Sequence, residues 1–228
     1  MPGVPRNREG VEIPPPVNLR EETAFSVPGP PTIWGLERVP SDANDAVLLC
    51  HPHPQMGGTM HNAVVAAIAR ELVGRAGVAH ARFDFRGVGD SEGAYDAARG
   101  EVDDASRVLD HLAARAPGAR LSIVGYSFGS VVAHRLSQRA TLASAVLLCP
   151  VPTLFPYEGA LRAERRLVCI GDRDDFTGPA EAEALARELD ASLHVFPGED
   201  HFFLRTRRQV AAVVGAFLAP CGGTEVPP

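Results

Sequence analysis

Leu121-Ser122-Ile123-Val124-Gly125-Tyr126-Ser127-Phe128-Gly129 decides how the rest of this chain is read. A short apolar run of strand character ends in G-x-S-x-G, and the helical segment Ser130–Gln138 follows at once. A strand that turns sharply into a helix forces the central residue into a sparsely allowed backbone conformation. Side chains two positions before and after it would collide there. Glycine at Gly125 and Gly129 removes that crowding. Ser127 is then expected at the C-terminal edge of a sheet, where open α/β folds bind their ligands. The amide of Phe128 would open the helix and point toward an oxyanion formed beside Ser127.

A serine hydroxyl is a weak nucleophile at neutral pH, so it needs a general base, and the base needs an orienting acid. Two downstream strand ends supply the residue types in the required order. Leu167–Ile170 runs into Gly171-Asp172-Arg173-Asp174-Asp175, and Ser192–Phe196 runs into Pro197-Gly198-Glu199-Asp200-His201-Phe202-Phe203. His201 is the candidate base. Asp172, Asp174 and Asp175 all lie within reach of one strand end, and those not used as the acid would cap the loop. His194 falls inside a strand segment and is read as a packed residue. The same holds for His80, His111 and His134 on predicted strands or helices.

Outward from these motifs, apolar runs alternate with Ala-rich amphipathic segments. Strands are predicted at Thr23–Val27, Leu36–Val39, Ala46–Cys50, Ala79–Phe83, Leu121–Val124, Ala145–Cys149, Leu167–Ile170 and Ser192–Phe196. From the third onward they have the unbroken apolar character of strands buried on both faces. Helices are predicted at Met60–Arg75, Glu101–Arg115, Phe128–Gln138, Pro179–Leu189 and Thr206–Leu218. This alternation predicts an α/β fold with a mostly parallel, doubly wound sheet of roughly eight strands. No helix separates the first two strands, which therefore form an antiparallel edge. The expected organisation is a flexible N-terminal segment 1–22, one domain 23–219 and a flexible tail 220–228.

The 228 residues carry a net charge of −6, with 45% hydrophobic and 22% charged residues. No basic surplus invites nucleic acid or an anionic membrane. Every one of the 22 basic residues is arginine, which excludes Schiff-base chemistry and a P-loop lysine. Cys50, Cys149, Cys169 and Cys221 are far apart; the first three sit in apolar runs as small buried hydrophobes, so no disulfide framework is expected. No apolar stretch reaches the ~18 residues of a membrane span, and the N-terminus lacks a signal-peptide core. The expected location is the cytoplasm.

At these motifs the chain resembles the α/β-hydrolase superfamily over roughly residues 24–219. It is most similar to small lid-less bacterial hydrolases with an HPHP loop, including serine-esterase, dienelactone-hydrolase-like and dipeptidyl-peptidase-like members. The residues that carry the likeness are His51-Pro52-His53-Pro54-Gln55-Met56-Gly57-Gly58-Thr59-Met60, Arg82-Phe83-Asp84-Phe85-Arg86-Gly87-Val88-Gly89-Asp90-Ser91, Gly125–Gly129, Gly171–Asp175 and Asp200-His201-Phe202-Phe203. The resemblance implies a Ser127–His201–Asp174 triad, since the family places its acid three residues after the glycine. It also implies a second oxyanion amide from the loop after the third strand. There this chain has proline where the family has glycine. Pro52 and Pro54 carry no N–H, so His53, Gln55 and Met56 are the candidates, and residue-by-residue matching favours His53. Asp84 and Arg86 are expected to brace the neighbouring loop.

His51, His53 and His61 also suit a metal, but no carboxylate or cysteine supports them at suitable spacing, and no metal or cofactor is expected. Only residues 150–166 separate two strands where larger relatives insert a lid, so no cap domain fits. An open pocket lined in part by Met56, Leu154, Phe155 and Tyr157 is expected. Arg205, Arg207 and Arg208 are read as a solvated helix face, with attraction of an anionic substrate as the alternative. The expected activity is hydrolysis of a small-molecule ester or thioester. A peptidase or amidase on the same triad and a non-catalytic binding protein are the rivals. The oligomeric state is left open.

Overall fold

A computed structural model describes residues 19–219. Eight strands form one sheet: β1 (Thr23–Val27), β2 (Ile33–Arg38), β3 (Asp45–Cys50), β4 (Val78–Phe83), β5 (Arg120–Tyr126), β6 (Ser144–Leu148), β7 (Arg165–Gly171) and β8 (Ser192–Phe196). Their spatial order is β1-β2-β4-β3-β5-β6-β7-β8. β1 and β2 pair antiparallel, β2 is antiparallel to β4, and all remaining pairs are parallel. The five helices are α1 (Ala63–Val73), α2 (Gly100–Arg115), α3 (Phe128–Ser137), α4 (Pro179–Glu188) and α5 (Arg207–Leu218).

Alternation along each strand sorts the core into two layers. Ala46, Leu48 and Cys50 of β3 face the cluster containing Val102, Leu109 and Leu112 of α2 and Val131 and Leu136 of α3. Val47 and Leu49 face the opposite cluster, with Val65, Ile68 and Leu72 of α1 and Val210 and Val214 of α5. Thus α1 and α5 cover one face, and α2, α3 and α4 the other. Each helix that follows a parallel strand starts at the C-terminal edge of the sheet, so the helix N-termini gather where the candidate residues are.

Local chemistry sets the helix ends. Asn62 caps α1, its Oδ1 accepting from the Val64 amide at 2.9 Å. Pro179 opens α4, with Glu181 in the first turn near the positive end of the dipole. No helix among the described residues is long and apolar enough to cross a membrane.

Three expectations need correction. The domain begins before residue 23: Leu19–Glu21 form a 3₁₀ turn, and the buried Glu22 carboxylate pairs with Arg82 at 2.5 Å and His80 at 3.0 Å. Residues 1–18 and the expected tail 220–228, with Cys221, lie outside the described residues. β8 is not buried on both faces, because it is an edge strand and only Phe196 is fully covered. Tyr157 belongs to the core, and its hydroxyl donates no contact to the pocket: it bonds Ser130 Oγ at 2.5 Å and accepts from the Val151 amide at 3.1 Å.

Candidate active site

Ser127 occupies the turn between β5 and α3 with φ 54° and ψ −118°. Few non-glycine residues adopt this region, and surrounding contacts must hold it there. The Ser127 amide donates to Leu148 O at 2.8 Å, tying the turn to β6. The flanking glycines are required by contact. A Cβ on Gly125 would lie 2.1 Å from Gly129 O, and one on Gly129 would lie 2.3 Å from Cys50 O at the end of β3. The elbow is therefore crowded against the neighbouring strand as well as against itself.

The serine hydroxyl is half-buried and faces His201, whose Nε2 lies 2.9 Å from Ser127 Oγ. His201 Nδ1 is 2.9 Å from Asp174 Oδ2. An ionised carboxylate can only accept, so Nδ1 carries the proton and Nε2 is the acceptor for the serine hydroxyl. Asp174 Oδ1 accepts from the amides of Phe176 at 2.8 Å and Thr177 at 3.2 Å. Burial pushes the Asp174 carboxyl up, but its bond to His201, the charge of that ring and the Phe176 amide outweigh burial and hold it below the ordinary value. Of the other acids at this strand end, Asp172 pins the Gly198 amide at 2.6 Å and Asp175 is exposed.

Three supports were not legible in the sequence. Tyr126 Oη donates to His201 O at 2.7 Å. The Phe176 ring packs on the His201 ring with centroids 4.5 Å apart. Cys149, at φ 44° just past β6, places its thiol against the Asp174 carboxylate. Burial, followed by the charge of Asp174, pushes that thiol well up, so it stays protonated and donates. Donor atoms of Cys149, Asp174 and His201 lie within 4.8 Å of one another, the one group among the described residues close enough to suggest a metal. The bonds among them engage those donors with each other. Only proximity in the folded chain, not spacing, brings these residues together.

The loop after β3 forms a 3₁₀ turn at Pro54–Met56. Two of its three candidate amides are engaged within it: Gln55 N donates to His53 Nδ1 at 3.2 Å, and Met56 N donates to His53 O at 3.0 Å. The His53 amide has no acceptor among the described residues. The His53 ring packs 5.0 Å from that of Phe128 and its Nε2 is 3.1 Å from the Tyr95 hydroxyl. His51 is fully buried. Its Nδ1 bonds Pro52 O at 2.6 Å and its Nε2 accepts from the Phe85 amide at 3.1 Å, so both ring nitrogens are engaged. His51, His53 and His61 do not converge. Asp84 accepts from the Met60 amide at 2.7 Å, and Arg86 grips Asp104 through two bonds of 2.8 Å, the bracing expected of that segment.

Beside Ser127 lies an open pocket of about 290 Å³, lined largely by apolar side chains, with Met56, Val151, Leu154, Phe155, Phe176 and Phe202 prominent. Met56, Leu154 and Phe202 are among the few large apolar residues left exposed. No cap covers them, since only the short loop 149–164 lies between β6 and β7.

A serine elbow at the C-terminal edge of a doubly wound, lid-less sheet defines an α/β serine hydrolase. The chain belongs to the family described as "Serine aminopeptidase, S33", whose sequence profile matches residues 41–166, and with it to the α/β-hydrolase superfamily. It is similar to an uncharacterized protein of Rickettsia prowazekii, 30% identical over 75% of this chain and 77% of that one. Its fold matches a lid-less serine hydrolase from Xanthomonas campestris with a TM-score of 0.81 and 27% identity, over 89% of this chain and 97% of that one. A serine hydrolase homologue from Coxiella burnetii aligns with a TM-score of 0.79 and 26% identity, over 86% of this chain and 97% of the other.

Proposed function

We propose that the chain is a serine esterase or thioesterase for small acyl substrates, working through an acyl-enzyme. The observation that carries this reading is the continuous hydrogen-bonded path Ser127–His201–Asp174 at the mouth of an apolar pocket. Ser127 Oγ attacks the acyl carbonyl carbon while its proton passes to His201 Nε2. Asp174 holds the imidazole tautomer and balances the imidazolium. The amides of Phe128 and His53 face the developing oxyanion, each donor of this kind being worth about 3 kcal/mol. His201 then returns the proton to the departing alcohol or thiol, and the C–O or C–S bond breaks. Water, activated by the same imidazole, attacks the acyl-serine and releases the carboxylic acid.

The pocket supports modest acyl groups, because about 290 Å³ is at the small end for a ligand site. The family's description favours a second reading, hydrolysis of an amide on the same groups. An amide nitrogen needs fuller protonation by His201 before it leaves. Labelling with a fluorophosphonate, using Ser127→Ala as control, tests the nucleophile: an adduct on Ser127 is expected, and its absence from folded protein overturns the proposal in favour of a binding role. Rates on matched short p-nitrophenyl esters, thioesters and aminoacyl amides then separate the two hydrolytic readings.

A further inference from the structure

Beside the acyl pocket lies a second cleft of about 750 Å³. It is walled by His61 and Arg70 from the α1 side and by Arg205, Arg207 and Arg208 from the start of α5, with no carboxylate in its lining. In a chain of net charge −6 this is a local reversal. Arg38, Arg75, Arg82 and Arg86 are all paired with carboxylates, whereas none of the four cleft arginines has a carboxylate partner among the described residues. Arg70, Arg205 and Arg208 are exposed, and half-buried Arg207 is fixed by donating Nη2 to Leu204 O at 2.9 Å. Four arginines lining one cleft that has no carboxylate in its wall give it a positive potential that favours an anion.

The cleft adjoins the acyl pocket on two sides. His61 lines the cleft and Asn62 the pocket; Phe202 lines the pocket and Leu204 the cleft. The segment that carries His201 thus leads directly to Arg205. On the acyl-hydrolase reading His201 protonates the leaving group, which puts that group on the side of this segment. We propose that the cleft binds the phosphate of a phosphorylated alcohol or thiol leaving group, which makes the substrate an acyl ester or thioester of such a carrier. Guanidinium forks suit this anion because they pair two phosphate oxygens at once. The proposal rests on the acyl-hydrolase reading and adds the class of leaving group to it.

The test compares S-butyryl-4′-phosphopantetheine with S-butyryl-pantetheine, reading the thiol released. Wild type is expected to prefer the phosphorylated thioester by roughly tenfold or more in kcat/KM, through KM, with the preference shrinking as salt rises. Arg70→Ala and the double variant Arg205→Ala/Arg208→Ala are expected to lose the preference while keeping the rate on the neutral thioester. Because Arg70 stands on another element, its loss cannot be a displacement of His201. Equal kcat/KM values for the two thioesters in wild type overturn the cleft's role and leave the hydrolase reading intact. If neither thioester nor any short ester is cleaved, the hydrolase reading fails, and titration of 4′-phosphopantetheine itself decides the cleft. Saturable binding weakened by Arg70→Ala upholds the cleft as a phosphate site, and no binding overturns it. Arginine-dependent sedimentation with phosphatidylserine vesicles, without binding of 4′-phosphopantetheine, also overturns it, by assigning the cleft to a membrane surface.

Discussion

Tyr126 Oη donates to the carbonyl of His201 at 2.7 Å, so the residue just before the candidate nucleophile holds the backbone of the candidate base. The two are 75 positions apart in the chain. This bond, with the 2.9 Å contact from the neighbouring Ser127, fixes the His201 loop to the last residue of β5 and the first of the turn after it. Tyr126→Phe removes the donor and leaves a buried carbonyl without it. The expected cost is about 1–2 kcal/mol of stability, together with a lower kcat on a short ester at unchanged fold. Urea midpoints and initial rates check this, and a variant with wild-type values of both would show the bond to be idle.

Of the three candidate carboxylates, Asp174 is the one that meets the His201 ring, at 2.9 Å, and exchange for its amide tests it as the acid. Asp174→Asn keeps the shape but reverses what Nδ1 can meet, so kcat is expected to fall by roughly 10⁴-fold. Asp172→Asn and Asp175→Asn should stay close to wild type. A large loss with Asp175→Asn and none with Asp174→Asn would reassign the role.

Gly129→Ala brings a methyl to 2.3 Å from Cys50 O and 2.7 Å from His51 O, both backbone atoms of the β3 exit. The expected loss is about 3 kcal/mol or more, seen as a collapsed melting temperature or no soluble protein. Gly178→Ala meets nothing within 4 Å and serves as the tolerated control.

His51 supplies a pH signature. Burial lowers its pKa from 6.5 to about 4, the Pro52 carbonyl opposing only in part. Between those values the unfolded chain binds a proton that the folded chain refuses, so the unfolded state takes up more protons there. The contribution is fully present above pH 6.5 and is lost as pH falls toward 4, by up to about 3 kcal/mol. The ring-proton shifts of His51 should still report a neutral imidazole at pH 5.5; titration near 6.5 would contradict the burial argument.

The first of the described residues carry a further prediction. Burial would raise the Glu22 carboxyl, yet its bonds to His80 and Arg82 hold it at about 2. A chain beginning at Thr23 leaves the buried Arg82 guanidinium without that partner. It should be less stable by about 3–5 kcal/mol than one beginning at Leu19. Equal denaturation midpoints for the two would show that the pair adds nothing.

The sheet was legible because its signals are local. Unbroken apolar runs such as Ala46–Cys50 must be covered on both faces, and G-x-S-x-G needs its glycines wherever it occurs. The placement of Ser127, Asp174 and His201 after separate strand ends was readable for the same reason. Residues 19–22 were misplaced because nothing in Leu-Arg-Glu-Glu announces a charge partner sixty positions away. Tyr157 was assigned to the pocket because its position in a short loop just after Pro156 says nothing of which way its ring turns.

By itself the sequence determined the α/β alternation, the antiparallel edge, the serine elbow and the absence of room for a cap within 150–166. Each of these depends on residues close together in the chain. Tertiary structure alone decided which of three aspartates meets His201, which loop amide is left without an acceptor, and that Cys149 and Tyr126 brace the site. It alone brought Arg70 beside Arg205, Arg207 and Arg208. Those outcomes depend on where strand ends and helix starts come to rest against one another, and a linear string carries no distance between elements that only packing makes neighbours.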